Sequence, residues 1–177
     1  LTIITSFTTL KFKGSDYEFS HLLPFGHTLS AAGKDGADIR VRVSYQSHVF
    51  SRRRETDEEF HLVDEAGKPR VFCPDRYSNS LRFPAFCQRM LSENMLTWES
   101  KDRNRVSNMA VMDGALKSGD HQIAVYYLFP SSVDGLDVEM VIKSGYSKLL
   151  NFEHIKRRYN VVQLVKKCHY SQAKVPQ

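Results

Sequence analysis

Residues 121–143 read HQIAVYYLFPSSVDGLDVEMVIK. Ile123, Val125, Tyr127 and Phe129 occupy alternate positions, which puts them on one face of an extended chain. Leu136, Val138, Met140 and Ile142 repeat that period of two, with Asp137, Glu139, Val141 and Lys143 opposite. Between the two runs, Pro130-Ser131-Ser132-Val133-Asp134-Gly135 is rich in turn formers. Two strands joined by a reversal make an antiparallel pair, and the rest of the chain is read outward from it.

Upstream, Ile39 to Phe50 alternates as strictly, with Ile39, Val41, Val43 and Tyr45 on one face and Arg40, Arg42, Ser44 and Gln46 on the other. Ser51 to Glu59 (SRRRETDEE) reads as a charged, self-neutralising loop. Phe60–Val63 and Arg70–Cys73 flank a turn in which Gly67 can supply a positive φ, a hairpin pattern. Pro74–Asn79 reads as a turn. A helix then carries Phe83, Phe86, Cys87, Met90 and Leu91 at helical spacing, tolerates Pro84 in its first turn, and ends near Asn94. Lys101–Ser107 reads as exposed, Lys13–Asp38 mostly as loop, and residues 1–12 as a first strand. Downstream, Asn160 is placed to cap a short helix bearing Val161, Val162, Leu164, Val165 and Cys168, with Lys166, Lys167 and His169 where positive charge suits the helix dipole. The expected fold class is α+β, a mainly antiparallel sheet with two or three helices, in a single domain over 1–177 with a basic segment at 143–177.

Composition places 177 residues, 41% hydrophobic and 25% charged, among ordinary globular proteins. Cys73, Cys87 and Cys168 are odd in number and far apart, so a disulfide framework is not expected and a reducing cytoplasm is. Leu1–Phe12 is too short and too polar for a signal peptide or a membrane span. The formal charge of +5 is unevenly spread: residues 143–177 hold eight basic groups and one acid, while 1–142 hold 17 basic and 19 acidic groups. Such asymmetry points to a polyanion, either nucleic acid (RNA favoured) or an acidic protein. No amphipathic helix with a large apolar face supports a membrane partner.

The basic end interleaves Tyr146, His154, Lys156, Arg157, Arg158 and Tyr159. Cations bind phosphate, tyrosines stack on bases, and a histidine moves protons near neutral pH. Those residue types suffice for metal-independent RNA cleavage, with His154 as the proton-transfer group. The plainer explanation is a solvated basic loop with tyrosines packed beneath it. A second group is His48 with Arg52, Arg53 and Arg54, where neighbouring acids favour a surface ion-pair loop; His48 is the other catalytic candidate. A third is Arg76, Tyr77, Ser80 and Arg82 before the first helix, with anion binding weighed against a core tyrosine and a capping serine. No CxxC or HxxxH spacing exists, so no metal is expected, and no Walker, GxGxxG or GxSxG motif calls for a cofactor or a serine nucleophile. The paired carboxylates Asp64-Glu65 and Asp57–Glu59 read as turn residues without an apolar setting.

Three stretches, YQSHVFSRR (45–53), RVFCPDRYSNS (70–80) and VEMVIKSGY (138–146), resemble small uncharacterised bacterial proteins labelled as stationary-phase adaptation proteins. The C-terminal outline of two strands, a basic loop and a helix is similar to compact ribonuclease toxins of the RelE and barnase type. These resemblances touch under half of the chain, and no catalytic residue carries over from them. The expected function is a nucleic-acid-acting protein, a small toxin-like endoribonuclease that needs no metal. The rival is a non-enzymatic interaction module, an inhibitor, adaptor or complex subunit, that sets its basic end on an acidic protein.

Overall fold

A computed structural model describes residues 7–102, 105–155 and 157–177. In chain order the elements are β1 (Leu10–Phe12), β2 (Ser15–Tyr17), β3 (Phe25–Leu29), β4 (Ile39–Tyr45), β5 (Ser51–Arg53), β6 (Leu62–Val63), β7 (Pro69–Phe72), α1 (Pro74–Ser80), α2 (Phe83–Ser92), β8 (Leu96–Asp102), β9 (Arg105–Val111), β10 (Gly119–Pro130), β11 (Val138–Leu150), β12 (Arg158–Asn160) and α3 (Val161–Ser171). The large sheet has the order β12-β8-β9-β10-β11-β4-β3; β5-β7-β6 form a small sheet, and β1 pairs with β2. Only the β11–β4 junction of the large sheet is parallel. This is an α+β fold whose sheet is mainly antiparallel, with three helices among the described residues.

The alternation in 121–143 works on two faces. Ala124, Tyr126 and Leu128 of β10, with Met140 and Ile142 of β11, join β4 and the buried sides of α2 and α3 in the main core. Ile123 and Val125 point the other way, into a smaller cluster with Trp98, Met109, Val111, Leu150 and Phe152. A strand buried on both sides carries apolar groups at nearly every position, as β10 does. In α2, Phe83, Phe86, Cys87, Met90 and Leu91 are all buried, each contributing about 1.5–3 kcal/mol of burial for the larger side chains. Asn160 caps α3 in a reciprocal box with Gln163.

One irregularity sets the geometry of the sheet. Val125 pairs with Ser144, but Tyr126 pairs with Ile142, so Lys143 is an extra residue on β11. Such a bulge re-aims the side chains that follow it. Before it, Met140 and Ile142 face the helices; after it, Gly145 faces them and Tyr146 packs on the second cluster. Gly145 has to be glycine, because a Cβ there would overlap the Phe83 ring.

Several local expectations are corrected. Pro74–Asn79 is not a turn but most of α1, where Pro74 begins the helix and needs no N–H partner. The stretch 13–38 contains β2 and β3, and β3 is an edge strand with Gly26 and Thr28 exposed. Edge strands lack the apolar signature of central ones. Lys101 and Arg105 are exposed as expected but belong to the paired strands β8 and β9, in which Ser107 is buried; residues 103 and 104 lie outside the described residues. Ser51–Arg53 opens the charged loop as a strand, β5, on β7. The Ile39–Phe50 strand stops at Tyr45 and gives way to a 3₁₀ turn at Ser47–Val49. The proposed hairpin is present, with β6 on β7 and Gly67 at φ 75°. Among the described residues no helix is long and apolar enough to cross a membrane.

Candidate functional site

The hairpin turn between β6 and β7 is built around two carboxylates. Asp64 Oδ1 accepts from the amides of Ala66 (3.0 Å) and Lys68 (2.9 Å), which closes the turn. Glu65 reaches across to the 3₁₀ turn, accepting from Ser47 N (2.6 Å) and Ser47 Oγ (3.1 Å). These bonds clamp the hairpin onto the end of β4. They also bring Asp64 Oδ2 to 2.9 Å from His48 Nε2.

The charge states of this pair follow from burial. Burial pushes the Asp64 carboxyl up, but His48 and the two turn amides outweigh it, and its pKa lies below the usual 3.8. Burial is also the largest influence on His48 and holds it below 6.5, against the pull of Asp64. At neutral pH the contact is therefore a hydrogen bond from Nε2–H to a carboxylate, and Nδ1 carries the lone pair. A base whose other nitrogen is fixed by a buried carboxylate is the arrangement that orients a histidine for proton abstraction. Asp64 is a turn carboxylate in a polar setting, as read, but its side chain is only 4% exposed and its charged form is the favoured one.

Two arginines hold the backbone behind His48. Arg76 donates to His48 O (3.2 Å) and Ser51 O (2.7 Å). Arg70, nearly buried, donates to Ser51 Oγ (3.2 Å) and Ser51 O (3.1 Å). The Ser51 hydroxyl closes the turn onto Ser47 O at 2.7 Å. Arg76 is in this way a brace for the turn that carries His48.

His48, Asp64 and Glu65 line a cleft of about 1020 Å³ between the small sheet and the large one. Arg53, Lys68 and Arg70 line it from the small sheet, Lys143 and Arg105 from the large. Among the described residues, Arg53, Lys68, Arg105 and Lys143 make no ion pair. Burial, then Arg105 and Lys174, lowers the pKa of Lys143 below its usual 10.5. A second cavity of about 380 Å³ shares Gln46, Arg105 and Lys143 and extends over Tyr127, Phe129 and Lys174. Lys174 is held there because Val175 exchanges two 2.9 Å backbone hydrogen bonds with Leu128.

The charged loop ahead of β6 divides. Arg52 is paired with Glu58, whose carboxyl is held at about 2 by Arg52 and the Glu55 amide. Arg54 is bonded to the carbonyl of Glu58 and lies over the Phe60 ring. Only Arg53 of the three reaches the cleft without such a partner among the described residues.

The basic C-terminal stretch is placed elsewhere. His154 is exposed on a 3₁₀ turn beyond the end of β11 and makes no side-chain hydrogen bond among the described residues. Lys156 lies outside the described residues. Arg157 is paired with Glu99 at 2.8 Å. Arg158 donates to the carbonyls of Ile155 and Phe152, both at 3.1 Å, and lies over the Phe152 ring. Tyr159 pairs with Thr97 and packs on the main core. Tyr146 packs on the second cluster and lies within electrostatic range of Arg76. Arg82 stands exposed at the head of α2. Of the candidates, His48 and Arg76 come together, with Tyr146 nearby; His154, Arg157 and Arg158 do not join them. Four residues of β11, roughly 13 Å, separate Tyr146 from the strand end that precedes His154.

Two other histidine pairs are structural. His121 uses both nitrogens, on Asp113 (3.1 Å) and Lys117 O (2.8 Å), and is buried. His21 Nε2 donates to Ser80 Oγ at 2.8 Å, because Ser80 already donates to Tyr77 O; the serine is fully buried and cannot attack a substrate. Among the described residues no three His, Cys, Asp or Glu side chains are gathered to hold a metal ion. Sequence reading missed Asp64, Lys143 and Arg105. The Asp-x-x-Gly turn hinted at the first; nothing local marks the other two.

Residues 8–169 match the family described as the YjaZ family. No curated protein and no solved structure matches the chain.

Proposed function

The chain belongs to the YjaZ family, and we propose that it binds a strand of RNA in the cleft beside His48 and cleaves it without a metal. The observation that carries this reading is the His48–Asp64 hydrogen bond at the wall of a cleft whose cations are free of ion pairs among the described residues. His48 Nδ1 takes the proton of a 2′-hydroxyl. The 2′-oxygen then bonds to the adjacent phosphorus, the bond from phosphorus to the 5′-oxygen breaks, and Lys143 Nζ delivers a proton to that leaving oxygen. The products are a 2′,3′-cyclic phosphate and a 5′-hydroxyl. Lys68 and Arg105 balance the charge that builds on the phosphate. Lys143 suits the acid's part because its surroundings already favour the loss of its proton. The three free cysteines suit a reducing, cytoplasmic setting.

The reading rests on the cleft and not on the outline likeness to ribonuclease toxins, although the chemistry is of the same class. A binding role toward an acidic protein would draw on the same cations. The test is incubation of the purified protein with single-stranded RNA, with and without chelator, followed by end-group analysis. Cyclic-phosphate ends that form under chelator and vanish in His48→Ala and Asp64→Asn are expected. Cleavage that persists in His48→Ala, or intact RNA alongside stoichiometric capture of an acidic protein, overturns it.

A further inference from the structure

The second cavity brings three like charges together, and the carboxylates that act on Lys143, Asp64 and Glu65, line the first cavity instead. Arg105, Lys143 and Lys174 line it, and no Asp or Glu side chain does among the described residues. Two of these cations sit over a single ring: the ammonium of Lys174 is 4.4 Å and that of Lys143 5.5 Å from the centroid of Tyr127. Like charges in one cavity repel each other, and folding gains nothing by gathering them. An anionic ligand removes that cost.

The cavity also has an aromatic wall. Tyr127 and Phe129 are two positions apart on β10 and so share a face, with centroids 6.4 Å apart and planes inclined by 38°. Phe129 belongs to neither apolar cluster. Sheet-borne aromatics beside free cations are a surface on which unpaired bases stack while the phosphates find the charges.

We infer that this cavity is a subsite for one unpaired nucleotide next to the reacting phosphate, with its base on Tyr127 and Phe129 and its phosphate between Lys143 and Lys174. The inference rests on the RNA reading above and narrows it to single strands, because a paired base cannot lie flat on a sheet. Lys143 serves both cavities and so sets the step between the stacked nucleotide and the scissile phosphate. Lys174 yields the ring readily. An exposed cation–ring contact is worth a factor of about 2–5 in affinity, and a stacked base about 5–100.

Fluorescence anisotropy with three labelled ligands of equal length tests this: single-stranded RNA, the same strand as a duplex, and the same strand with abasic riboses. The wild-type protein binds the single strand tightest. Tyr127→Leu weakens single-strand binding about 5- to 100-fold and leaves abasic binding unchanged. Lys143→Met weakens all three. If Tyr127→Leu also lowers the melting temperature, Phe129→Leu, outside both clusters, supplies the same comparison. Equal binding of the abasic and the intact strand, or no loss in either aromatic variant, overturns the subsite and leaves the RNA reading standing. No binding of any ligand by the wild type overturns both.

Discussion

Two basic regions of this molecule differ in what their charge is for. The stretch 146–159 is where the sequence concentrates positive charge, yet Arg157 is neutralised by Glu99 and Arg158 is tied to two backbone carbonyls and a ring. The cleft beside His48 draws Arg53, Lys68, Arg105 and Lys143 from four separate places in the chain, and none makes an ion pair among the described residues. Charge density along a sequence measures neither exposure nor availability. What counts for a ligand is the charge left over after the fold has used its share.

The sharpest way to break this contrast is to exchange the histidines. His48→Ala is expected to lower RNA cleavage about 10²- to 10⁴-fold, while His154→Ala leaves it unchanged, as measured by single-turnover cleavage under chelator. A loss in His154→Ala of the same size would return the site to the C-terminal stretch. Next in size is the phosphate contact. Lys143→Ala should weaken RNA binding and reduce the slope of log affinity against log salt by about 1, whereas Arg157→Ala with Arg158→Ala should leave both as they are.

Stability should invert that order. Arg158→Ala removes two hydrogen bonds to carbonyls of the 3₁₀ turn and should cost about 1–3 kcal/mol in urea unfolding. Arg157→Ala removes an exposed pair and should cost under about 1 kcal/mol, and Lys143→Ala should fall within about 0.5 kcal/mol. If Lys143 proves the more costly of these, its place in the cleft is structural.

The smallest effect is in pH. His48 and Asp64 both have folded pKa values below their ordinary 6.5 and 3.8. The unfolded chain therefore binds protons first, and stability rises with pH through each window. The contribution of His48 is complete above pH 6.5 and fades as pH falls through its lower folded value; that of Asp64 is complete above pH 3.8 and fades likewise. Asp64→Asn should flatten the acid limb of a melting-temperature profile. An unchanged limb would show that the pair is not coupled to folding.

Local signals were legible in the sequence where local physics decides the structure. The Ile123–Val125 face of β10, the alternation of β4 and the Asn160 cap were readable, because period and capping need only near neighbours, whereas the Ala124–Tyr126–Leu128 face that enters the main core was not named. β3 was not, since an edge strand carrying Gly26 and Thr28 has no buried second face to impose a pattern. The candidate site was half legible. His48 could be named, but the buried carboxylate that orients it lies 16 residues away across a hairpin, clamped by Glu65 on Ser47. Arg105, Lys143 and Lys174 share a cavity only because three distant segments meet on one face of the sheet, and no window of sequence contains that fact.

The extra residue at Lys143 has a consequence for how this chain tolerates change in length. β11 is two strands of opposite phase spliced at a single position: Ile142 before the splice and Gly145 after it both face the helices, an odd number of residues apart. Deleting Lys143 would put Ile142 and Gly145 two positions apart, restoring a regular ladder with every later side chain on its present face, whereas inserting one residue between Gly145 and Tyr146 would turn the rest of the strand over and strip the second cluster of Tyr146. Lengthening the loop between β10 and β11 disturbs no such phase. The lysine that reaches both cavities thus occupies the one place in its strand where the reading frame of inside and outside is reset.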